Sequence, residues 1–231
     1  MKSIRCLSGA VLKYIAMISM LADHCNIVFF ESRMAQDAAS WMKVFSVVLD
    51  VFGRFAFPIF FFLLVEGFFN TRNRWRYLCN LLLFGIVSEI PFNLFVGTNW
   101  LYSQAQNILF TLVIALGVIW AIDWVRGVTE HWLVIMLPIT AVGCIGAHLC
   151  KVDYGGMGVL IPLAFYLFRS KPVAAAAVGY CTAWGQFWSL PSFLMTMLYN
   201  GQRGRQYKWL NYWFYPMHLM ILGLIRLSGK M

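Results

Sequence analysis

The sequence predicts an all-α fold, a polytopic bundle of transmembrane helices, and three observations support this. Hydrophobic residues make up 61% of the 231 residues and charged residues only 12%, whereas soluble domains have about 45–50% apolar and about 25% charged residues. Apolar stretches of about 20 residues, the length that spans the hydrocarbon core, recur along the chain. The 18 basic residues, which give a formal net charge of +9, lie in short clusters between these stretches. Membrane topology therefore explains the charge better than nucleic acid binding does.

Nine apolar windows define the predicted helices. The first, over 9–30, is longer than the apolar core of about 7–15 residues in a signal peptide, and no A-x-A-like cleavage site follows it, so we interpret it as a span. Windows over 44–69, 77–97, 106–125, 131–149, 155–169 and 211–228 are interpreted as further spans. The two windows over 172–184 and 186–200 are short and Pro191 interrupts the second, so a broken or re-entrant pair is an alternative. Connections are short, and the chain 1–231 is predicted to be a single domain.

The basic residues also predict an orientation. Placing the N-terminus in the cytoplasm puts most of them on the cytoplasmic side, as the positive-inside rule requires. The six cysteines show no paired spacing typical of a zinc site and sit in or beside apolar segments. We therefore interpret them as small hydrophobic residues and predict neither a metal site nor a disulfide framework.

Ionisable groups inside the first two predicted spans are the first candidate site residues. Asp23 and His24 are adjacent, and such groups in a span are costly unless they face a bundle interior or a wet cavity. On a helix they point about 100 degrees apart, so they can flank one cavity without sharing a direction. Arg54 is expected at a similar depth, with Asp23, a glutamate or a bound anion as its partner. The alternative for His24 is a hydrogen bond that only joins two helices.

Other polar groups leave two interpretations open. Asn107 is either an N-terminal helix cap or a hydrogen-bond donor in a site. His218 is either a second functional imidazole or a helix–helix hydrogen-bonding group. Glu66 and Glu89 are either structural partners of arginines or direct participants. Two basic loops either interact with lipid headgroups and set topology or receive a phosphorylated cosubstrate; their cations are Arg72, Arg74 and Arg76 in one loop and Arg203, Arg205 and Lys208 in the other.

Five blocks of the sequence together resemble the TraX family. They are Leu12–His24, Gly53–Phe60, Gln106–Phe110, Asp153–Gly155 and Phe214–Leu219. The resemblance implies an integral membrane acetyltransferase of the bacterial cytoplasmic membrane, of the kind that acetylates the N-terminus of conjugative pilin. It also implies a plan shared with acyltransferase type 3 proteins and heparan-α-glucosaminide N-acetyltransferase, in which a membrane-embedded histidine serves transfer from cytoplasmic acetyl-CoA to an acceptor across the membrane. The matching residue here is His24.

This resemblance gives each candidate residue an expected role. His24 acts as general base toward an amine or hydroxyl of a peptide or glycan acceptor, and Asp23 or Arg54 sets its protonation and orientation. A covalent acetyl-imidazole is the rival mechanism. Asn107 is expected to donate to the oxyanion, and the two basic loops, Tyr215 and His218 to bind acetyl-CoA. A proton-coupled transporter and a membrane scaffold are the competing functions.

Overall fold

The computed structural model describes residues 5–31, 39–97, 99–101 and 104–228, and these residues confirm the all-α prediction. Apart from two isolated bridges, the regular structure in these ranges is helical. The helices are α1 (Gly9–Asn26), α2 (Ser40–Gly53), α3 (Ala56–Asn70), α4 (Arg74–Val87), α5 (Glu89–Gly97), α6 (Ile108–Val128), α7 (Trp132–Leu149), α8 (Met157–Leu167), α9 (Pro172–Thr182), α10 (Leu190–Met197) and α11 (Lys208–Ser228). A π-helical turn, Ile27–Glu31, extends α1, and a 3₁₀ turn, Phe187–Ser189, precedes α10.

Candidate membrane spans coincide with the first five predicted windows. Within the described residues, four segments are long and apolar enough to cross a membrane: Gly9–Glu31, Ser40–Asn70, Ile108–Val128 and Trp132–Leu149. The pair α4 and α5 makes a fifth if it is counted as one bent span. By contrast, α8 and α9 have 11 residues each, or about 16 Å of helix against a hydrocarbon core of about 30 Å. The protein is thus a helical membrane protein with four to five candidate spans, and nine complete spans stay a prediction.

Two predicted helices are each divided near a proline. The window over 44–69 becomes α2 and α3, with Pro58 two residues after the start of α3, and the window over 77–97 becomes α4 and α5, with Pro91 at the same position in α5. The α4–α5 pair bends by 43°. Proline removes one backbone hydrogen bond and clashes with the carbonyl four residues earlier, which here belongs to Arg54 and to Val87. Each helix therefore ends and restarts just before its proline.

The described chain forms two compact units. The first comprises residues 1–60, 90–102 and 185–231, and the second comprises 61–89 and 103–184. A compact unit is not by itself a separate domain, so the single-domain assignment stays a prediction.

In the first unit, α1 and α11 start at the same end and run in the same direction. The amides of Gly9 and Ala10 donate to the carbonyls of Gln202 and Arg203 at 2.8 and 2.9 Å. The Tyr14 hydroxyl accepts a hydrogen bond from the backbone amide of Tyr207 at 3.3 Å, immediately before α11 begins. The same number of residues separates Tyr14 from His24 as separates Lys208 from His218. Because each helical residue rises about 1.5 Å, the two histidines reach the same level, about 15 Å along.

In the second unit, several basic residues gather at one end. Arg74, in the first turn of α4, pairs with Asp123 near the end of α6 at 2.6 Å. Arg169, which follows α8, binds Glu66 near the end of α3 through two contacts of 2.7 and 3.1 Å. The Glu66 pair agrees with one of the two interpretations left open for this carboxylate, that of an arginine partner. Both pairs tie the α3–α4 connection to neighbouring helices.

Candidate functional site

The central feature of the first unit is a direct contact between two imidazoles. Nδ1 of His24 lies 2.8 Å from Nε2 of His218. The ring planes differ by only 8° and the ring centres are 5.1 Å apart. Together with the short nitrogen–nitrogen distance, this places the rings edge to edge in nearly one plane, the arrangement that a linear hydrogen bond requires. His218 was predicted either to hydrogen-bond between helices or to be a second functional imidazole, and the structure shows the bond itself.

The ring of His218 is held by its own helix. Its Nδ1 lies 2.6 Å from the carbonyl oxygen of Phe214, one turn earlier in α11. The Phe214 ring stacks on it at 4.7 Å, and the Tyr215 ring contacts it edge-on at 5.7 Å. His218 is only 7% exposed. Tyr215 and His218 were expected to bind acetyl-CoA, which stays a prediction; in this structure His218 is one member of the histidine pair and Tyr215 packs against it.

The ring of His24 is more open. The Phe95 ring of α5 lies 4.7 Å from it, tilted by 46°, and His24 is partly accessible. Its Nδ1 is occupied by His218, and its Nε2 makes no hydrogen bond to any residue that the structure describes. Nδ1 of His24 is therefore held by His218, whereas Nε2 of His24 has no hydrogen-bond partner among the described residues.

Helix α5 is placed against α11 by two contacts. A Cβ atom built on Gly223 would lie 3.0 Å from the backbone of Leu94 and Phe95, so the small residue permits a close approach. Arg226 donates to the Phe95 and Val96 carbonyls at 2.6 and 3.2 Å. These bonds satisfy carbonyls at the C-terminal end of α5, where no further turn of the helix supplies N–H donors. The position of the Phe95 ring on His24 follows from this packing.

Asp23 leaves α1 in a different direction from His24, as predicted. It lies against α2, where a Cβ atom on Gly53 would be 2.6 and 2.8 Å from its Cβ and Cγ atoms. One turn earlier, the Ser19 hydroxyl donates to the carbonyls of Phe52 and Gly53 at 2.6 and 3.1 Å. Ser19 and Asp23 therefore form the close α1–α2 contact.

Arg54 has a partner that the sequence analysis did not consider. It forms an ion pair with Asp50 at 2.6 Å, one turn earlier in the chain, and both side chains are about one-third exposed, at 36% and 35%. Asp23, a glutamate or an anion was the expected partner, and that expectation stays a prediction. The signal was present in the sequence, because residues four apart are neighbours on a helix surface. Arg54 also lies just after the last residue of α2, at the break before α3, rather than in the middle of one helix.

Asn107, in the second unit, is the N-cap of α6, as one interpretation predicted. Its Oδ1 accepts from the amide of Leu109 at 3.1 Å. Its Nδ2 donates to the Glu89 carboxylate at 2.7 Å and to the Gly85 carbonyl at 2.9 Å. Asn107 is fully buried. Both amide hydrogens are thus engaged, and donation to an oxyanion would require breaking one of these bonds.

We expect Asn107→Ala to lower the stability of the protein by about 1 kcal/mol or more. Loss of a helix N-cap alone typically costs about this much, and Glu89 also loses a donor. Asn107→Asp retains the capping oxygen but sets a second carboxylate beside Glu89, so it should be at least as destabilising. Thermal unfolding in detergent measures both. A wild-type melting temperature for Asn107→Asp would show that the bond to Glu89 contributes nothing.

The cations predicted to bind acetyl-CoA differ in availability. Arg74 is engaged with Asp123 and lies 4.0 Å above the Phe68 ring. The side chain of Lys208 is outside the described residues. The remaining four are exposed: Arg72, Arg76, Arg203 and Arg205. Among the described residues, no group of three or more His, Cys, Asp or Glu side chains is placed to hold a metal ion.

Four to five candidate membrane spans among the described residues, together with a hydrogen-bonded histidine pair between α1 and α11, define a helical membrane protein with a candidate proton-handling site. The family model described as TraX protein matches residues 8–226, which include both histidines. The chain belongs to the TraX family, and the resemblance seen in the sequence is confirmed. The chain is also 27% identical over 245 residues to "Probable fimbrial assembly protein FimC, serogroup H1" of Dichelobacter nodosus, covering 93% of this chain and 94% of that protein. No solved structure matches it.

Proposed function

We propose that this protein is an integral membrane acetyltransferase that moves an acetyl group from cytoplasmic acetyl-CoA to an amine or hydroxyl acceptor. The observation that carries the proposal is Nε2 of His24, which makes no hydrogen bond within the described part of the chain and belongs to an imidazole whose other nitrogen is held by His218. Membership of the TraX family and the fimbrial-assembly name of the relative support a pilin N-terminus as the acceptor. A surface glycan is the alternative acceptor.

The proposed reaction needs a base at one point only. The acceptor nitrogen or oxygen attacks the thioester carbonyl carbon and loses a proton to His24 as the new bond forms. The tetrahedral intermediate then expels the CoA thiolate, which takes the proton back from His24. The products are the acetylated acceptor and CoA thiol, and the histidine ends in its starting state. Asp23 and Arg54 act, in this proposal, by shaping the helices and charges around His24.

In this proposal the cosubstrate approaches from the basic end of the first unit. Arg203 and Arg205 are exposed in the loop before α11, at the end where α1 and α11 begin. Acetyl-CoA is a polyanion and is attracted to such a basic end. His24 lies about 22 Å along α1 from Gly9 at about 1.5 Å per residue, so the acyl arm must extend inward between helices. The proposal accordingly places the N-terminus in the cytoplasm, nine spans in all, and the protein in the bacterial cytoplasmic membrane.

The test is acetyl transfer by the purified, reconstituted protein. Proteoliposomes are given radiolabelled acetyl-CoA on one side and a peptide with a free N-terminal amine on the other, and the peptide is analysed by mass spectrometry. We expect a mass increase of one acetyl group, with release of CoA thiol. An N-terminally blocked peptide is the control for amine specificity. Absence of CoA binding and of transfer to any amine or hydroxyl acceptor contradicts the proposal, and proton flux without acetyl-CoA would identify a transporter.

A further inference from the structure

We propose that His218 is a positioning residue that fixes the tautomer of His24, so that Nε2 of His24 is the atom that accepts the proton. This deepens the proposed function, but the tautomer itself is a property of the resting protein. A chain of hydrogen bonds runs from the Phe214 carbonyl through the ring of His218 to the ring of His24.

The Phe214 carbonyl oxygen has lone pairs and no hydrogen, so it can only accept. Nδ1 of His218, 2.6 Å away, must therefore carry a hydrogen and donate it. In the opposite tautomer, a ring lone pair would face a carbonyl lone pair at this distance, and a buried nitrogen would lose its partner. The carbonyl therefore selects the Nδ1–H form of His218.

A neutral imidazole has one donor nitrogen and one acceptor nitrogen. With Nδ1 of His218 donating, its Nε2 is the acceptor. The hydrogen in the 2.8 Å contact between the rings consequently belongs to Nδ1 of His24. Nε2 of His24 is then left with its lone pair, and it is this nitrogen that makes no hydrogen bond to the described residues.

The same chain gives the accepted proton a place to go. When Nε2 of His24 takes a proton, the hydrogen on its Nδ1 can pass to Nε2 of His218. His218 then carries hydrogens on both nitrogens and the positive charge, with the Phe214 carbonyl accepting from Nδ1. His24 becomes neutral, with its hydrogen on Nε2. The reverse transfer restores the starting tautomer when the CoA thiolate is protonated, so no net proton is gained or lost.

Packing keeps the chain in this geometry. The Phe214 and Tyr215 rings contact two sides of His218, and the Phe95 ring contacts His24. The contact between Tyr14 of α1 and Tyr207 at the start of α11 sets the register of the two rings along the helices. A side chain at position 218 that cannot accept a hydrogen bond would leave Nδ1 of His24 without its partner and so interrupt this chain of hydrogen bonds.

The first experiment measures tautomers in the resting protein. The protein is labelled with ¹⁵N-histidine and reconstituted in lipid bilayers, and nitrogen chemical shifts are recorded by solid-state NMR. The chain has four histidines, so the spectra of His24→Ala and His218→Leu are used to assign the signals of His24 and His218. We expect His24 to show a protonated Nδ1 and an unprotonated Nε2. A protonated Nε2 with a bare Nδ1 on His24 in the neutral wild-type protein overturns the proposal.

The second experiment separates acceptance of the hydrogen bond from acceptance of a proton. The amide oxygen of His218→Gln can accept from Nδ1 of His24 but cannot take up its proton, whereas His218→Leu can do neither. We expect Gln to preserve the Nδ1–H tautomer and Leu to lose it. Replacing a partner that orients a metal-binding histidine typically costs about 10–100-fold, and a histidine that accepts a proton needs the same kind of orientation. We expect His218→Leu to lower kcat by about this factor with little change in KM, and His218→Gln to recover part of the loss.

The matched control is His148→Gln, at an exposed position in the last turn of α7. It should leave both the His24 spectrum and kcat unchanged. If His24 keeps the Nδ1–H tautomer in His218→Leu, another group fixes it and the proposal is wrong. If the wild-type tautomer is as expected but no acetyl transfer is ever observed, the proposed function fails while the inference about His218 stands.

Discussion

Replacement of His24 by alanine is expected to lower the turnover of acetyl transfer by about 10²–10⁴-fold, the typical contribution of a general base. The substitution removes the nitrogen that makes no hydrogen bond to the described residues, and His218 is poorly placed to replace it because it is only 7% exposed. Binding of acetyl-CoA should be largely retained, since no charge that attracts the cosubstrate is removed. Transfer to an acceptor peptide and equilibrium binding of labelled acetyl-CoA measure the two effects.

The control for this prediction is His148→Ala, which removes an exposed imidazole from the end of α7. It should turn over at the wild-type rate. Helix content and the thermal midpoint of both variants show whether either is misfolded. Normal turnover by a folded His24→Ala protein would remove the general base from the proposal and leave the histidine pair with a purely structural role.

The sequence predicted the helical membrane class and the four to five candidate spans because these depend on local composition. Length and apolar content are sufficient to identify α6 and α7, whose bounds differ from the predicted windows by only a few residues at each end. The divisions at Pro58 and Pro91 were missed, although proline is a local signal, because the apolar windows continue through both breaks. Counting apolar residues over the length of a membrane span does not show where one helix ends and the next begins.

The histidine pair could be predicted only in part. His24 and His218 were each recognised as ionisable groups in apolar segments, but their contact depends on the start of α11 lying beside Tyr14 of α1. That placement is set by the bonds of Gly9, Ala10 and Tyr14 to the loop before α11, which are tertiary contacts without a sequence signature. The Asp50–Arg54 pair is the opposite case: its four-residue spacing was readable, and it was overlooked.

Gly53→Val is expected to produce the largest loss of stability among substitutions at the α1–α2 contact. Even the first atom of a new side chain would lie 2.6 and 2.8 Å from Cβ and Cγ of Asp23, closer than non-bonded carbons approach. Those atoms are near the root of the Asp23 side chain, so a rotamer change cannot relieve the clash and the helices must separate. Overpacking of this kind costs about 1–3 kcal/mol. Thermal unfolding in detergent measures the loss.

The comparison variant is Gly146→Val in α7, where a Cβ atom meets nothing within 4 Å. It carries the same change in helix propensity without the clash, so the excess loss in Gly53→Val reports the contact with Asp23. Asp23→Ala removes Cγ and both carboxylate oxygens but leaves Cβ, so the double variant should recover part of the excess, with a coupling energy of about 0.5–3 kcal/mol. Equal losses at positions 53 and 146 would mean that α1 and α2 do not depend on this close approach. Because His24 follows Asp23 directly, the separation of the helices should also disturb the register of the imidazole with His218 and reduce turnover in the Gly53 variant alone.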